Sequence, residues 1–190
     1  MSKQIKIAIT GTIGSGKSEV SNYLRDKGYF VFDCDAYNAY LLEKDNIGYF
    51  LVKEEFPECF INDELDKKKL ADIIFNDEKR KKVLEDIMHP LILDAMNSYE
   101  DSDPFFCEVP LLFETNWDRY FDKSLLVIAD EKDVLDRLIN KGYDIESAKQ
   151  RISSQMSVIE KSKRATQIIY NNGSLDDLHI MIDEWLKTIC

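Results

Sequence analysis

The apolar positions fall into two kinds of run. Short runs of four to six neighbouring apolar residues recur along the chain: Ile5–Thr10, Tyr29–Asp33, Phe105–Val109, Ser124–Asp130 and Gln167–Asn171. Such runs read as strands buried on both faces, as in a parallel sheet. Between them lie segments with helical spacing. The first is Glu19 to Lys27, stopped by Gly28, and a short helix then runs through Leu41. A long helical stretch covers Asp66 to Met88, with Leu70, Ile73, Ile74, Val83, Leu84 and Ile87 in step and a break near Asn76-Asp77. A further helix is expected from Leu91 to about Tyr99, beginning after His89-Pro90, because proline suits a helix start. Helices follow at Glu131–Lys141, Ile145 to about Met156, a short one through Ala165, and a last one capped by Ser174 with Leu175, Leu178, Ile182, Trp185 and Leu186 on its buried side. Between 44 and 66, Gly48, Pro57 and Asn62-Asp63-Glu64 are expected to break the chain into short helical pieces. Strands alternating with helices predict an α/β fold built on a parallel sheet.

The loop after the first strand carries chemistry. Gly11-Thr12-Ile13-Gly14-Ser15-Gly16-Lys17-Ser18 fits G-x-x-x-x-G-K-[ST], set between a strand and a helix as a phosphate-binding P-loop requires. The N–H groups from Thr12 to Ser18 are placed to cradle nucleotide phosphates. Lys17 is placed to reach the β- and γ-phosphates, and the Ser18 hydroxyl to ligate Mg²⁺. The second strand ends in Asp33-Cys34-Asp35, at the carboxyl edge where parallel sheets bind ligands. Two carboxylates there suit one metal or water contact and one base, and either also suits the start of the next helix.

Composition narrows the partners. The net charge of −11, from 36 acidic and 25 basic residues over 190, gives no basic face for a nucleic-acid duplex. The four cysteines (Cys34, Cys59, Cys107 and Cys190) form no C-x-x-C, and His89 and His179 are the only histidines, so a zinc site is not expected. No secretory leader is expected ahead of the first strand, and no apolar run approaches about 18 residues. A cytoplasmic protein with reduced cysteines, acting on a small molecule and not on nucleic acid or membrane, is the expectation. Read alone, His89 favours helix capping, and Leu111-Leu112-Phe113 favour core packing. The basic set Arg137, Lys141, Arg151, Lys161, Lys163 and Arg164 favours an exposed helical pair over a phosphate lid.

Taken together, these segments resemble the dephospho-coenzyme A kinase family, nearly end to end and in order. The resemblance is carried by Thr10–Ser18, by Asp33-Cys34-Asp35, and by Leu70 through Leu84-Glu85 to His89-Pro90-Leu91-Ile92. Further on it is carried by Glu108-Val109-Pro110-Leu111-Leu112-Phe113-Glu114, Arg151-Ile152-Ser153-Ser154-Gln155, Glu160-Lys161 and Ile168–Gly173. It implies one three-layer P-loop kinase domain with a parallel central sheet. The core would take about 1–43, 101–130 and 166–190, with a helical coenzyme-binding region at about 44–100 and a lid at about 131–165. It implies transfer of phosphate from ATP, with Mg²⁺, to the 3′-hydroxyl of dephospho-coenzyme A, by an expected monomer. Asp35 would take or orient the hydroxyl proton, Asp33 would support the metal, and Lys17 and Arg137 would stabilise the transferring phosphoryl. Arg151 and Asn171 would join Thr12–Ser18 at the nucleotide, and Thr10, Asp35, His89, Pro110, Leu111, Leu112 and Glu114 would meet the substrate. The chain departs from the family pattern at Ala39, Lys67, Lys141 and Ala165-Thr166, mostly where arginine is usual; lysine keeps the charge but not the bidentate fork. Two alternatives remain: a P-loop kinase for another small molecule, and a nucleotide sensor. A GTPase switch is disfavoured because Asn140-Lys141-Gly142-Tyr143-Asp144 has one residue too many for N-K-x-D.

Overall fold

In the first strand, neighbouring side chains point to opposite faces of the sheet. Ile7 and Ile9 on one face, and Ala8 and Thr10 on the other, are all fully buried, so both faces are covered. The computed structural model describes residues 4–100 and 104–189. In chain order its elements are β1 (Lys6–Gly11), α1 (Lys17–Asp26), β2 (Val31–Asp33), α2 (Cys34–Leu41), α3 (Ile47–Glu55), β3 (Phe60–Ile61), β4 (Glu64–Leu65), α4 (Lys67–Asn76) and α5 (Glu78–Asn97). These are followed by β5 (Phe105–Glu108), β6 (Lys123–Ile128), α6 (Glu131–Asn140), α7 (Ile145–Ser153), α8 (Val158–Arg164), β7 (Gln167–Tyr170) and α9 (Leu175–Leu186). The chain divides into two compact units, residues 1–33 with 101–190, and residues 34–100. The helical region therefore begins at Cys34, and α6–α8 belong to the first unit.

The first unit holds a five-stranded parallel sheet in the order β2-β5-β1-β6-β7. One apolar cluster joins Ile7, Ile9, Phe106, Leu125, Val127 and Ile169 of the sheet to Val20 and Leu24 of α1 and to Leu178, Ile182 and Trp185 of α9. A second cluster gathers Ala129, Val134, Leu138 and Ala148, with Ile13 of the P-loop packed against it. The loop is thus tied by its own side chain to α6 and α7. Thr166, just before β7, staples that edge strand to β6. Its hydroxyl donates to the Ser124 carbonyl at 2.8 Å and accepts from the Ser124 N–H at 2.7 Å, while its own N–H donates to Ser124 Oγ at 3.1 Å.

The second unit is helical around Leu41, Tyr49, Val52, Phe56, Cys59, Leu70, Met88, Ile92 and Met96. Two expectations are corrected here. Gly48 does not break the chain: it lies in the first turn of α3, where an added Cβ would come within 2.7 Å of the Leu41 carbonyl oxygen, so it permits close packing instead. The turn at Asn62-Asp63 is kept, both residues having positive φ (50° and 68°) between the short antiparallel strands β3 and β4. The second correction is His89-Pro90, which does not divide two helices. Helix α5 runs without a break from Glu78 to Asn97 with Pro90 inside it. Proline removes one intrahelical hydrogen bond and crowds the preceding turn. Met88, Ile92 and Met96, buried from one side of the helix on both flanks of Pro90, supply the packing that outweighs that cost.

Because the helix continues regardless, Pro90→Ala should stabilise this unit by about 1 kcal/mol or more. Urea unfolding monitored by circular dichroism checks it; a lower midpoint for the variant would show that the ring itself is needed for packing.

Candidate active site

The P-loop geometry follows from its glycines. Gly14 and Gly16 have φ of 75° and 102°, a left-handed conformation that side chains disfavour. At Gly16 a Cβ would lie 2.1 Å from Asn171 Nδ2, so only hydrogen fits. Gly16 is also the N-cap of α1 and offers no side-chain hydrogen bond to the helix's first amides, a terminus suited to an anion. The loop carbonyls face the other way and are held from distant elements. Arg137 of α6 donates to the carbonyls of Gly14 (3.2 Å), Ser15 (3.3 Å) and Asn171 (2.9 Å). Asn171, just past β7, donates through Nδ2 to the Ser15 carbonyl at 2.9 Å. The Lys17 ammonium donates to the carbonyls of Gly11 (3.1 Å) and Thr12 (3.0 Å), beneath the loop. Gly14, Gly16, Lys17, Ser18, Arg137, Asn140, Lys141 and Asn171 are among the residues lining a cavity of about 500 Å³, within the ordinary range for small-molecule sites.

An acid that sequence reasoning did not assign sits beside the loop. Glu108 ends β5, the strand between β2 and β1, and is only 8% exposed. Ser18 Oγ donates to its Oε1 at 3.4 Å and Ser21 Oγ to its Oε2 at 2.6 Å. Asp33 stands opposite it in the β2–β5 register, so both carboxylates come to the same sheet edge. Magnesium is usually held by one or two carboxylates and retained waters besides phosphate oxygens. A hydroxyl whose proton goes to a buried carboxylate, with a second carboxylate alongside, fits that ion. The signal in the sequence was an acid closing an apolar strand; what was missing was the strand order that puts it next to Ser18.

The remaining expected residues are placed unevenly. Thr10 and Pro110 meet, the buried Thr10 hydroxyl donating to the Pro110 carbonyl at 3.3 Å. Of the apolar residues after Pro110, Leu111 is exposed, whereas Leu112 and Phe113 are core; a ligand contact through the Leu112 side chain is therefore ruled out in this conformation. Glu114 is occupied internally: its Oε1 lies 2.8 Å from Lys161 Nζ and accepts from the Met156 N–H at 3.1 Å. The basic set separates accordingly. Lys161 is fully buried, and Arg164 donates to the Phe113 carbonyl (2.8 Å), Asn116 and Asp118, so both anchor the segment after β5. Arg151 is exposed over the Tyr143 ring, 4.9 Å from its centroid, and does not line the cavity. In the second unit, Asp35 is exposed in the first turn of α2, where a carboxylate complements the helix dipole. His89 is half-buried in α5, and desolvation, opposed by Glu85 and assisted by Lys82, lowers its pKa below the usual 6.5.

Two measurements test this geometry. Gly16→Ala, which forces a Cβ into Asn171 at a positive φ, should abolish detectable ATP binding in titration calorimetry while α1 and the sheet stay folded by circular dichroism. His89 should make stability pH-dependent. With a folded pKa below the unfolded one, it costs nothing above about pH 6.5, and stability falls as pH drops through the folded value because the unfolded chain binds the proton more readily. His89→Gln should flatten the fall in urea midpoint between about pH 6.5 and 5; an unchanged slope would assign the pH dependence to other groups.

Comparison with known proteins places the chain in a family. The family model for dephospho-CoA kinase matches residues 5–177. A dephospho-CoA kinase from Fusobacterium nucleatum is 36% identical, over 96% of this chain and 97% of the relative. One from Thermus thermophilus is 39% identical, over 92% of this chain and 86% of the relative. A crystal structure of TT1252 from Thermus thermophilus superposes with a TM-score of 0.88 at 37% identity, covering 98% of each chain. With its P-loop, parallel sheet and collinear sequence all in agreement, the chain belongs to the dephospho-CoA kinase family.

Proposed function

We propose that this chain transfers the γ-phosphoryl of ATP to the 3′-hydroxyl of dephospho-CoA, giving CoA and ADP. The observation that carries the reading is the phosphate cradle of Gly11–Ser18, held by Arg137 and Asn171 in a chain that matches this family over residues 5–177. Phosphoryl transfer asks mainly for positioning and for stabilisation of charge. Lys17 binds the β- and γ-phosphates together with the loop N–H groups other than those of Ile13 and Ser15, which donate to Gln155 and to the Thr12 carbonyl. Lys17 reaches the phosphates while keeping its Gly11 and Thr12 carbonyl partners, since an ammonium has three donors. Mg²⁺, when bound, would neutralise charge on the phosphate oxygens, with Ser18 as its ligand and Asp33 and Glu108 orienting its waters. Arg137 keeps the loop in its anion-binding form and brings positive charge to the cavity edge.

Asp35 accepts the 3′-hydroxyl proton as that oxygen bonds to the γ-phosphorus and the bond to the β–γ bridging oxygen breaks, so the electron pair leaves on ADP. Thr10, Pro110 and Leu111 in the first unit, and His89 in the second, are the acceptor-side contacts of this reading. Glu114 enters it indirectly, through the segment it anchors. Asn171 acts on the nucleotide through Ser15, and Arg151 reaches it only if α7 changes position. The net charge of −11 accords with a small-molecule substrate, and among the described residues no helix is long and apolar enough to cross a membrane. The reading takes the enzyme to be a cytoplasmic monomer.

An ADP-release assay with Mg-ATP tests the substrate, comparing dephospho-CoA with nucleosides, nucleotides and sugars. Turnover with dephospho-CoA alone is expected; turnover only with another acceptor would discard this substrate and keep the P-loop chemistry. Asp35→Asn should lower kcat by about a hundredfold or more, the usual loss for a proton acceptor, with ATP affinity unchanged. Near-normal turnover would remove Asp35 from that role.

A further inference from the structure

The Thr12–Ile13 peptide is gripped at both ends. Its carbonyl oxygen accepts from Lys17 Nζ at 3.0 Å and from the Ser15 N–H at 3.2 Å. Its N–H donates to Gln155 Oε1 at 2.8 Å. Gln155 lies in the short linker between α7 and α8, and neither the loop nor the sheet supplies this contact. The linker is itself fixed. The next residue, Met156, donates its N–H to Glu114, whose same oxygen faces the buried Lys161 ammonium at 2.8 Å. The linker is thereby tied to the chain beyond β5 on one side and to the P-loop on the other.

A peptide unit is planar, so fixing its N–H fixes the direction of its carbonyl. If the Ile13 N–H lost its acceptor, the unit could rotate and carry the Thr12 oxygen away from Lys17. We propose that Gln155 is a positioning residue of the phosphate site, holding the Thr12–Ile13 peptide so that Lys17 is poised beneath the loop. The inference deepens the functional reading above and rests on its assignment of Lys17 to the phosphates. Gln155 does not itself touch the reacting atoms; it acts through one peptide and one lysine. Its amide orientation is settled by the contact, since only Oε1 can accept from an N–H.

The test uses the full chain and two variants. Gln155→Met keeps length and removes the acceptor. Gln155→Glu keeps an oxygen acceptor. Gln155 is half-exposed in a linker, so both variants should fold, which thermal unfolding confirms. The direct readout is amide hydrogen exchange at Ile13 by NMR without nucleotide. Gln155→Met should speed it about tenfold, the scale of one hydrogen bond, and Gln155→Glu should restore the protection. The second readout is the Kd for Mg-ATP with no acceptor present. Gln155→Met should weaken it about tenfold in the unmutated background and less than about twofold in a Lys17→Met background, because both act on one interaction. Unchanged Ile13 exchange, or a Gln155→Met loss that is equally large without Lys17, would overturn the proposal. Neither readout uses an acceptor. A kinase found to phosphorylate some other molecule would overturn the substrate assignment above and leave this inference standing, and the converse pattern is equally visible.

Discussion

The phosphate site depends on the direction in which a few loop carbonyls point. A peptide's N–H and C=O lie on opposite sides, so N–H groups can face an anion only if the carbonyls face away and find donors there. In this chain the donors are a guanidinium from α6, a carboxamide from the end of β7 and the loop's own lysine. Arg137 is therefore as much part of the loop's architecture as the glycines are. Its five N–H donors in a rigid fork serve three carbonyls at once, which a lysine ammonium at that distance could not do in the same geometry. The packing of Ile13 against the apolar cluster to which α6 contributes Val134 and Leu138 adds apolar contact to the same region. That region is thereby bound to the nucleotide site by two kinds of force.

What was legible in the sequence was what short-range pattern controls. The strands stood out as apolar runs because the sheet is buried on both faces, and the P-loop stood out because its glycines occupy positions where φ or space leaves no alternative. Glu108 and Gln155 could be read as motif residues, but their contacts with the P-loop region could not. Glu108 gains its place because β5 inserts between β2 and β1, and strand order is not written in any local pattern. Gln155 meets Ile13 across 142 residues of chain. Local rules also misjudged Gly48 and Pro90, which both sit inside helices. Each rule describes an isolated helix, whereas these helices are held by tertiary packing worth more than the local cost.

The basic residues between α6 and α8 show the same limit in another form. Their concentration in an acidic chain was visible, but charge alone does not tell a phosphate ligand from a structural anchor. Burial does. Lys161, with no exposed surface, faces Glu114; a charge so enclosed is retained only where an opposite charge compensates for lost water. Arg164 is committed to one carbonyl and two side-chain oxygens of the segment after β5. Arg137 and Lys141 remain at the cavity. The anchors are what give the linker around Gln155 a fixed position, so the two groups of cations serve the site at different removes.

Every residue that shapes the nucleotide side of the site belongs to the first unit: Gly11–Ser18, Glu108, Arg137, Gln155 and Asn171 all fall within 1–33 or 101–190. Asp33 closes the last strand of that unit before the chain leaves it, and Asp35 opens the first helix of the other. Asp35 and the P-loop thus owe their local order to separate cores. Ligand binding stabilises whatever must be folded to bind, by an amount set by ligand concentration over Kd. Nucleotide alone should then protect the amides of the sheet and the P-loop more than those of α2–α5, and any protection reaching the helical unit measures how far the two cores fold as one. The proposed mechanism draws on both, but the contacts that shape the P-loop lie in the first.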